Sequence, residues 1–156
     1  HGNRSPLADP HALGVFSGLA LDASFDGLCR LYWRTAVAIA LGIRHILETL
    51  GEGGYCLDTL HVAGGHLRNP LLMELYRDVT GCRLVVPETG DAVLLGSAMA
   101  AAVGGGRHPA LPAAGKAMYP GGRMLLPDAD RKAGYDRDYR RFLMLQRHRA
   151  ELEAAP

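Results

Sequence analysis

Two adjacent glycines, Gly64 and Gly65, stand between an apolar run ending in HVA and an Asn69-Pro70 pair that opens a second patterned segment. Glycine has no Cβ, so backbone at this turn can be approached closely, and a following helix start offers unpaired N–H groups. The chemistry such a turn suits is reception of a flat or anionic ligand. A strand-to-helix turn that merely needs two permissive residues explains the dipeptide equally well. The pattern is neither GxGxxG nor GxxxxGK[ST], so it supports no dinucleotide fingerprint and no lysine-bearing phosphate loop. Asn69 is also double. With Pro70 at the first helical position it is a good N-cap, and its carboxamide could instead pair with the donor–acceptor edge of an adenine. His66 and Arg68 share the turn, either as exposed loop residues or, for Arg68, as a neighbour of a phosphate or ribose.

The surrounding elements must hold this turn. The apolar run over Leu57–Ala63 predicts a buried strand, and Asn69 to Thr80 predicts a helix closed by Gly81 at its C-cap. Ser24 is placed to cap a long helix from about Phe25 to Leu50, apolar on more than one face and so expected to be covered on most sides. Gly14 to Leu21 reads as a short strand or an extended lead-in, after a Gly/Pro/Asn-rich loop over residues 1–13. A second strand is expected over Arg83 to Val86, stopped by Pro87. Asp91 then caps a small-residue helix ending at glycines 104–106. In it Ala92, Gly96 and Ala100 form a smooth face, read first as core packing. Residues 104–127 are expected to carry little regular structure. A final helix runs from about Ala129 to Ala154, with Tyr135, Tyr139, Phe142 and Leu145 on one stripe and its Arg and Asp residues on a solvated face. The alternation predicts an α/β layer with helices on a sheet.

The chain of 156 residues is one domain's worth, with 48% hydrophobic and 21% charged residues, which excludes disordered and fibrous classes. A net charge of +1 gives no field that would predict nucleic acid or a membrane as partner. Cys29, Cys56 and Cys82 form no CxxC pair; they suit a reducing cytoplasm and read as small buried hydrophobes. No apolar run reaches the roughly 18 residues of a membrane span. The seven histidines include no HxxxH or HxH pair, and lone ones such as His45 or His61 read as structural. No catalytic residue set and no metal-ligand spacing emerges. The opening at His1, straight into a loop, suggests a piece of a longer protein.

The segment LHVAGGHLRNPLLMELYRDVTGCRLVVPETGDAVLLGSAMAAAV resembles the adenosine-motif region of the FGGY carbohydrate kinases, in the actin/hexokinase/Hsp70-like ATPase superfamily with its ribonuclease-H-like fold. GVFSGLALDASFDGLCRLYWRTAVAIALGIRHILE resembles the long helix and its lead-in, and HGNRSPLADPHALG is most similar to ribulokinase-type members. The likeness spans about residues 1–150. It implies that Gly64 and Gly65 form the adenine-side turn and that Asn69 faces the base, with His66 standing where the family often has a third glycine. Leu95-Gly96-Ser97-Ala98 matches the family's LGAA with one Ser for Ala. The family's DxGT phosphate loop, second phosphate loop and catalytic Asp have no counterpart here. The resemblance therefore implies the latter part of the C-terminal, ATP-side domain (residues 1–156), without the N-terminal sugar-binding domain and inactive by itself. The parent would phosphorylate a pentulose such as ribulose in the cytoplasm, using ATP and Mg2+ held mostly by residues outside this chain, and a homodimer is compatible with it. The alternative is a non-catalytic or degenerate nucleotide-binding module.

Overall fold

The computed structural model describes residues 5–88 and 91–155. Residues 1–4 of the opening loop expected over 1–13, residues 89–90 of the ETGD segment, and residue 156 lie outside them. The chain runs α1 (Phe25–Glu52), β1 (Thr59–His61), a 3-10 turn (Gly65–Arg68), α2 (Pro70–Thr80), β2 (Arg83–Pro87), α3 (Ala92–Gly104), α4 (Leu111–Met118), β3 (Gly122–Leu125) and α5 (Ala129–Ala154). The α/β layering expected from the sequence is present.

Helix boundaries follow local chemistry. The Ser24 hydroxyl accepts from the Gly27 N–H at 3.0 Å, and Asp91 accepts from the N–H groups of Val93 and Leu94. Each satisfies donors that the first helical turn leaves unpaired. At the other end of α2, Gly81 adopts φ 73° and donates its N–H to Arg77 O, a left-handed cap that a Cβ would strain. Residues 14–21 are an extended lead-in without strand pairing.

β2 is the central strand, parallel to β1 and antiparallel to β3. Register places Leu60, Leu84 and Leu125 in one row across the sheet and His61, Val85 and Met124 in the next. Successive side chains point to opposite faces, so the leucine row meets one layer and the His61 row another. The leucine face packs on α2 and shares one core cluster with Leu72, Leu75, Tyr76 and Val79 of that helix, Ala36, Val37, Ala40 and Leu41 of α1, and Tyr139 of α5. Leu84 is fully buried there. Between the other face and helices α3 and α4, His61, Met99, Gly115, Lys116 and Tyr119 line an open hollow of about 540 Å³.

The structure departs from the sequence reading in several places. Residues 104–127, expected to be irregular, contain α4 and β3; their Gly and Pro content hid an eight-residue helix with proline in its first turn and a short strand. The first half of α1 is exposed rather than covered, with Phe25, Leu28, Tyr32 and Trp33 open to solvent, because the core reaches the helix only from Ala36 onward. Of the cysteines only Cys82 is buried; Cys29 and Cys56 are exposed. The polar face of α5 is not simply solvated: Asp136 accepts from Arg44 at 2.7 Å and Asp138 from Arg34 at 3.0 Å, both on α1. The expected aromatic stripe of α5 does dock, through Tyr139 with Tyr135 and Phe142 beside it.

A buried carboxylate joins α2 to the start of α5. Asp78 is 1% exposed and accepts from Arg77 Nε at 3.0 Å, the Asp128 N–H at 3.2 Å and Arg131 at 3.4 Å. These bonds offset the cost of taking a charge out of water. Among the described residues, no helix is long and apolar enough to cross a membrane.

Candidate functional site

Because β1 and β2 are parallel, their carboxyl ends lie on one edge of the sheet. The Gly64–Gly65 turn leaves that edge toward α2, and β2 leads from it toward α3. Open α/β sheets bind ligands in the crevice outside the carboxyl ends of parallel strands.

Gly64 sits at φ 88°, ψ −162°, a region essentially reserved for glycine. A Cβ there would touch nothing, so the requirement is conformational rather than steric. Gly65 has no such constraint, and a Cβ on it would also meet nothing within 4 Å. Its surface is free for an incoming group. The chain then makes one 3-10 turn, with Leu67 N–H on Gly64 O and Asn69 N–H on His66 O, and α2 begins. The turn thus brings Gly64, Gly65, His66, Arg68 and Asn69 together within a few residues.

Asn69 caps α2: its Oδ1 accepts from the Leu71 N–H at 3.1 Å. Its Nδ2 donates to the Tyr32 hydroxyl at 2.9 Å. A carboxamide has two N–H groups and two oxygen lone pairs, so the cap and the Tyr32 bond together spend half of what it can offer. Capping and a further contact are therefore compatible, although the sequence set them in conflict. Tyr32 lies 37 residues away and counted in the sequence only as an apolar residue of α1. No local pattern marks it, since only the fold brings the two helices side by side.

His66, in the position of the expected third glycine, turns toward its own helix. Its Nδ1 and the Tyr76 hydroxyl are 2.7 Å apart in a hydrogen bond, with the rings tilted at 5.9 Å. Burial raises the Tyr76 pKa, so that hydroxyl stays neutral. Arg68 is exposed. His45 packs edge-on to Tyr139 and Phe142, as a structural histidine, whereas His61 faces the hollow beneath α3 and α4. The Ala92–Gly96–Ala100 face is not core: a Cβ on Gly96 would meet nothing, and no residue of α3 is fully buried. The helix docks instead through half-buried Leu95, Met99, Ala102 and Val103. Among the described residues, no three His, Cys, Asp or Glu side chains converge to hold a metal ion.

Residues 1–105 match the model of the FGGY family of carbohydrate kinases, C-terminal domain. The chain is 41% identical over 154 residues to the FGGY carbohydrate kinase domain-containing protein of Xenopus laevis, covering 99% of this chain and 28% of that protein. It is 41% identical over 123 residues to a ribulokinase of Mycolicibacterium smegmatis, covering 78% and 21%. A xylulose kinase from Rhodospirillum rubrum superposes with a TM-score of 0.70 at 28% identity, over 92% of this chain and 29% of that one. A ligand-bound xylulose kinase from Lactobacillus acidophilus gives 0.75 at 18% identity, over 97% and 30%, a likeness of fold alone. The chain spans less than a third of the length of each of these relatives. The fold is that of the actin/hexokinase-like ATPases, and the chain belongs to the FGGY family of carbohydrate kinases, carrying residues of its C-terminal domain.

Proposed function

We propose that this chain is the ATP-side part of a cytoplasmic sugar kinase, the latter part of its C-terminal domain, and that Gly64, Gly65 and Asn69 seat the adenine. The observation that carries the reading is the Gly64–Gly65 turn: bare of side chains, open at both Cβ positions, and running from β1 into the capped start of α2. In a chain of this family, that is where a flat ring can lie against backbone while Asn69 meets its edge. Relatives named ribulokinase and xylulose kinase favour a pentulose such as ribulose as the substrate of the whole protein.

Phosphoryl transfer asks the protein mainly for positioning and charge stabilisation. Bound ATP supplies the phosphoryl group. The residues of this chain hold one end of the nucleotide so that its other end falls in a fixed place. The proton acceptor, phosphate loops and sugar contacts belong to an N-terminal domain and the earlier part of the C-terminal one. Mg2+ accompanies the nucleotide in this scheme, and we assign no metal ligand to the described residues.

Calorimetric titration with ATP tests the seat. Gly65→Ala puts a methyl where nothing but a ligand would meet it, so stability should change by less than about 0.5 kcal/mol while ATP affinity falls by about tenfold. Asn69→Ala should weaken ATP and also cost about 1 kcal/mol of stability through the lost cap. If the unaltered protein shows no ATP binding, the seat is wrong and a structural or interaction role remains. Binding that survives both substitutions unchanged would place the nucleotide elsewhere.

A further inference from the structure

We propose that the Tyr32 hydroxyl is a positioning group for Asn69, setting the plane in which the carboxamide meets the base; this rests on the adenine seat proposed above. Tyr32 comes from the exposed half of α1 and is itself 57% exposed. Its ring shares a hollow of about 570 Å³ with Leu28, Cys29 and Trp33, while its hydroxyl reaches out to Asn69 Nδ2.

The chemistry follows from the hydrogen-bond inventory. The Leu71 N–H decides which end of the amide is oxygen, and takes one lone pair. The Tyr32 oxygen takes one of the two Nδ2 protons. What remains is one N–H and one lone pair in the plane of the amide, and the positioning role requires the two on one edge. That pair complements the 6-amino group and adjacent ring nitrogen of adenine, the usual bidentate partner of an asparagine amide. Held at Oδ1 alone, the amide would be free to swing, because a terminal sp³–sp² torsion has broad minima. Two anchors fix it before the ligand arrives, which lowers the ordering cost of binding.

The fold does not need this bond. α1 and α2 are already joined through Ala36, Val37, Ala40 and Leu41 in one cluster with Leu72, Leu75, Tyr76 and Val79. A hydrogen bond between exposed groups adds little to that. Its two partners sit beside the site and hold each other in register, which a simple staple between helices would not require.

Tyr32→Phe keeps the ring and removes only the hydroxyl. Calorimetry with ATP and with GTP, beside a thermal unfolding scan and the Asn69→Ala variant, provides the test. The expected result is an unfolding midpoint within about 2 °C of the unaltered protein, ATP affinity reduced about five- to tenfold, and GTP affinity unchanged. The ATP-over-GTP preference then falls by the same factor. Unchanged ATP affinity in Tyr32→Phe, with Asn69→Ala still weakening it, would overturn the positioning role and leave the adenine seat standing. A parallel loss of ATP and GTP binding together with a lowered midpoint would make Tyr32 a structural staple. No ATP binding by the unaltered protein would remove the seat and this role with it.

Discussion

The two faces of the three-stranded sheet are made by the same backbone and the same hydrogen-bond ladder, yet they do different work. On one face the row Leu60–Leu84–Leu125 joins the cluster of α2, the second half of α1 and Tyr139 of α5, with Leu84 fully buried and Leu60 and Leu125 half-buried. On the other, the row His61–Val85–Met124 lies toward α3 and α4, with Val85 buried in the centre but His61 exposed and Met124 still 52% exposed. α3 is apolar around its whole circumference but has no fully buried residue, a pattern expected of a helix meant to be enclosed. Burial rewards apolar area by roughly 25 cal/mol per Å², so stability is concentrated on the leucine face. The Gly64–Gly65 turn leaves the edge between the two faces, where no side chain needs to be packed. A glycine turn there can stay bare without weakening the core.

The comparison can be broken most directly at its strongest point. Leu84→Ala removes a fully buried side chain from the central strand and should cost about 3–4 kcal/mol in denaturant unfolding. A loss below about 1 kcal/mol would mean that the leucine face is not where stability resides.

A smaller effect should appear in alkali. Tyr139 lies in the sealed layer with the Arg44 guanidinium 4.4 Å from its ring centre. Burial, and then the charge of Glu48, push its pKa from 10.0 up to about 12. The folded protein therefore holds this proton more tightly than the unfolded chain does. The resulting stabilisation is complete below pH 10 and is lost as pH rises toward about 12. Tyr139→Phe should flatten that part of the stability–pH curve, and an unchanged slope would show that Tyr139 titrates as if exposed. The smallest effect belongs to the open face: Met124→Ala should shift unfolding by no more than about 0.5 kcal/mol. A cost near that of Leu84→Ala would erase the distinction between the faces.

Much of this molecule was legible residue by residue. Ser24, Asn69 and Asp91 cap helices through side chains that reach N–H groups two or three positions ahead, and Gly81 closes α2 within its own turn. Such bonds are local, so sequence spacing alone specifies them. The Leu57–Ala63 strand and the helix after Asn69 also follow from periodicity, although the strand proper is only Thr59–His61 and, as an edge strand, it is half-buried to exposed rather than buried. The region after Gly106 was misread because a short helix opened by Leu111-Pro112 carries no side-chain cap, and β3 gains its identity only by pairing with β2.

What the sequence by itself determined, then, is where helices start and stop, which turn is bare, and that Asn69 can cap. Only the tertiary structure decided that Asp78 is buried among Arg77, Arg131 and the Asp128 N–H. It also decided that the first half of α1 stays uncovered and that Tyr32 meets Asn69. The Tyr32–Asn69 bond and the bonds of Asp78 to α5 join residues 37 to 53 positions apart. Closing such distances costs chain entropy that no local pattern encodes and that the shared apolar core offsets only once the whole sheet has assembled.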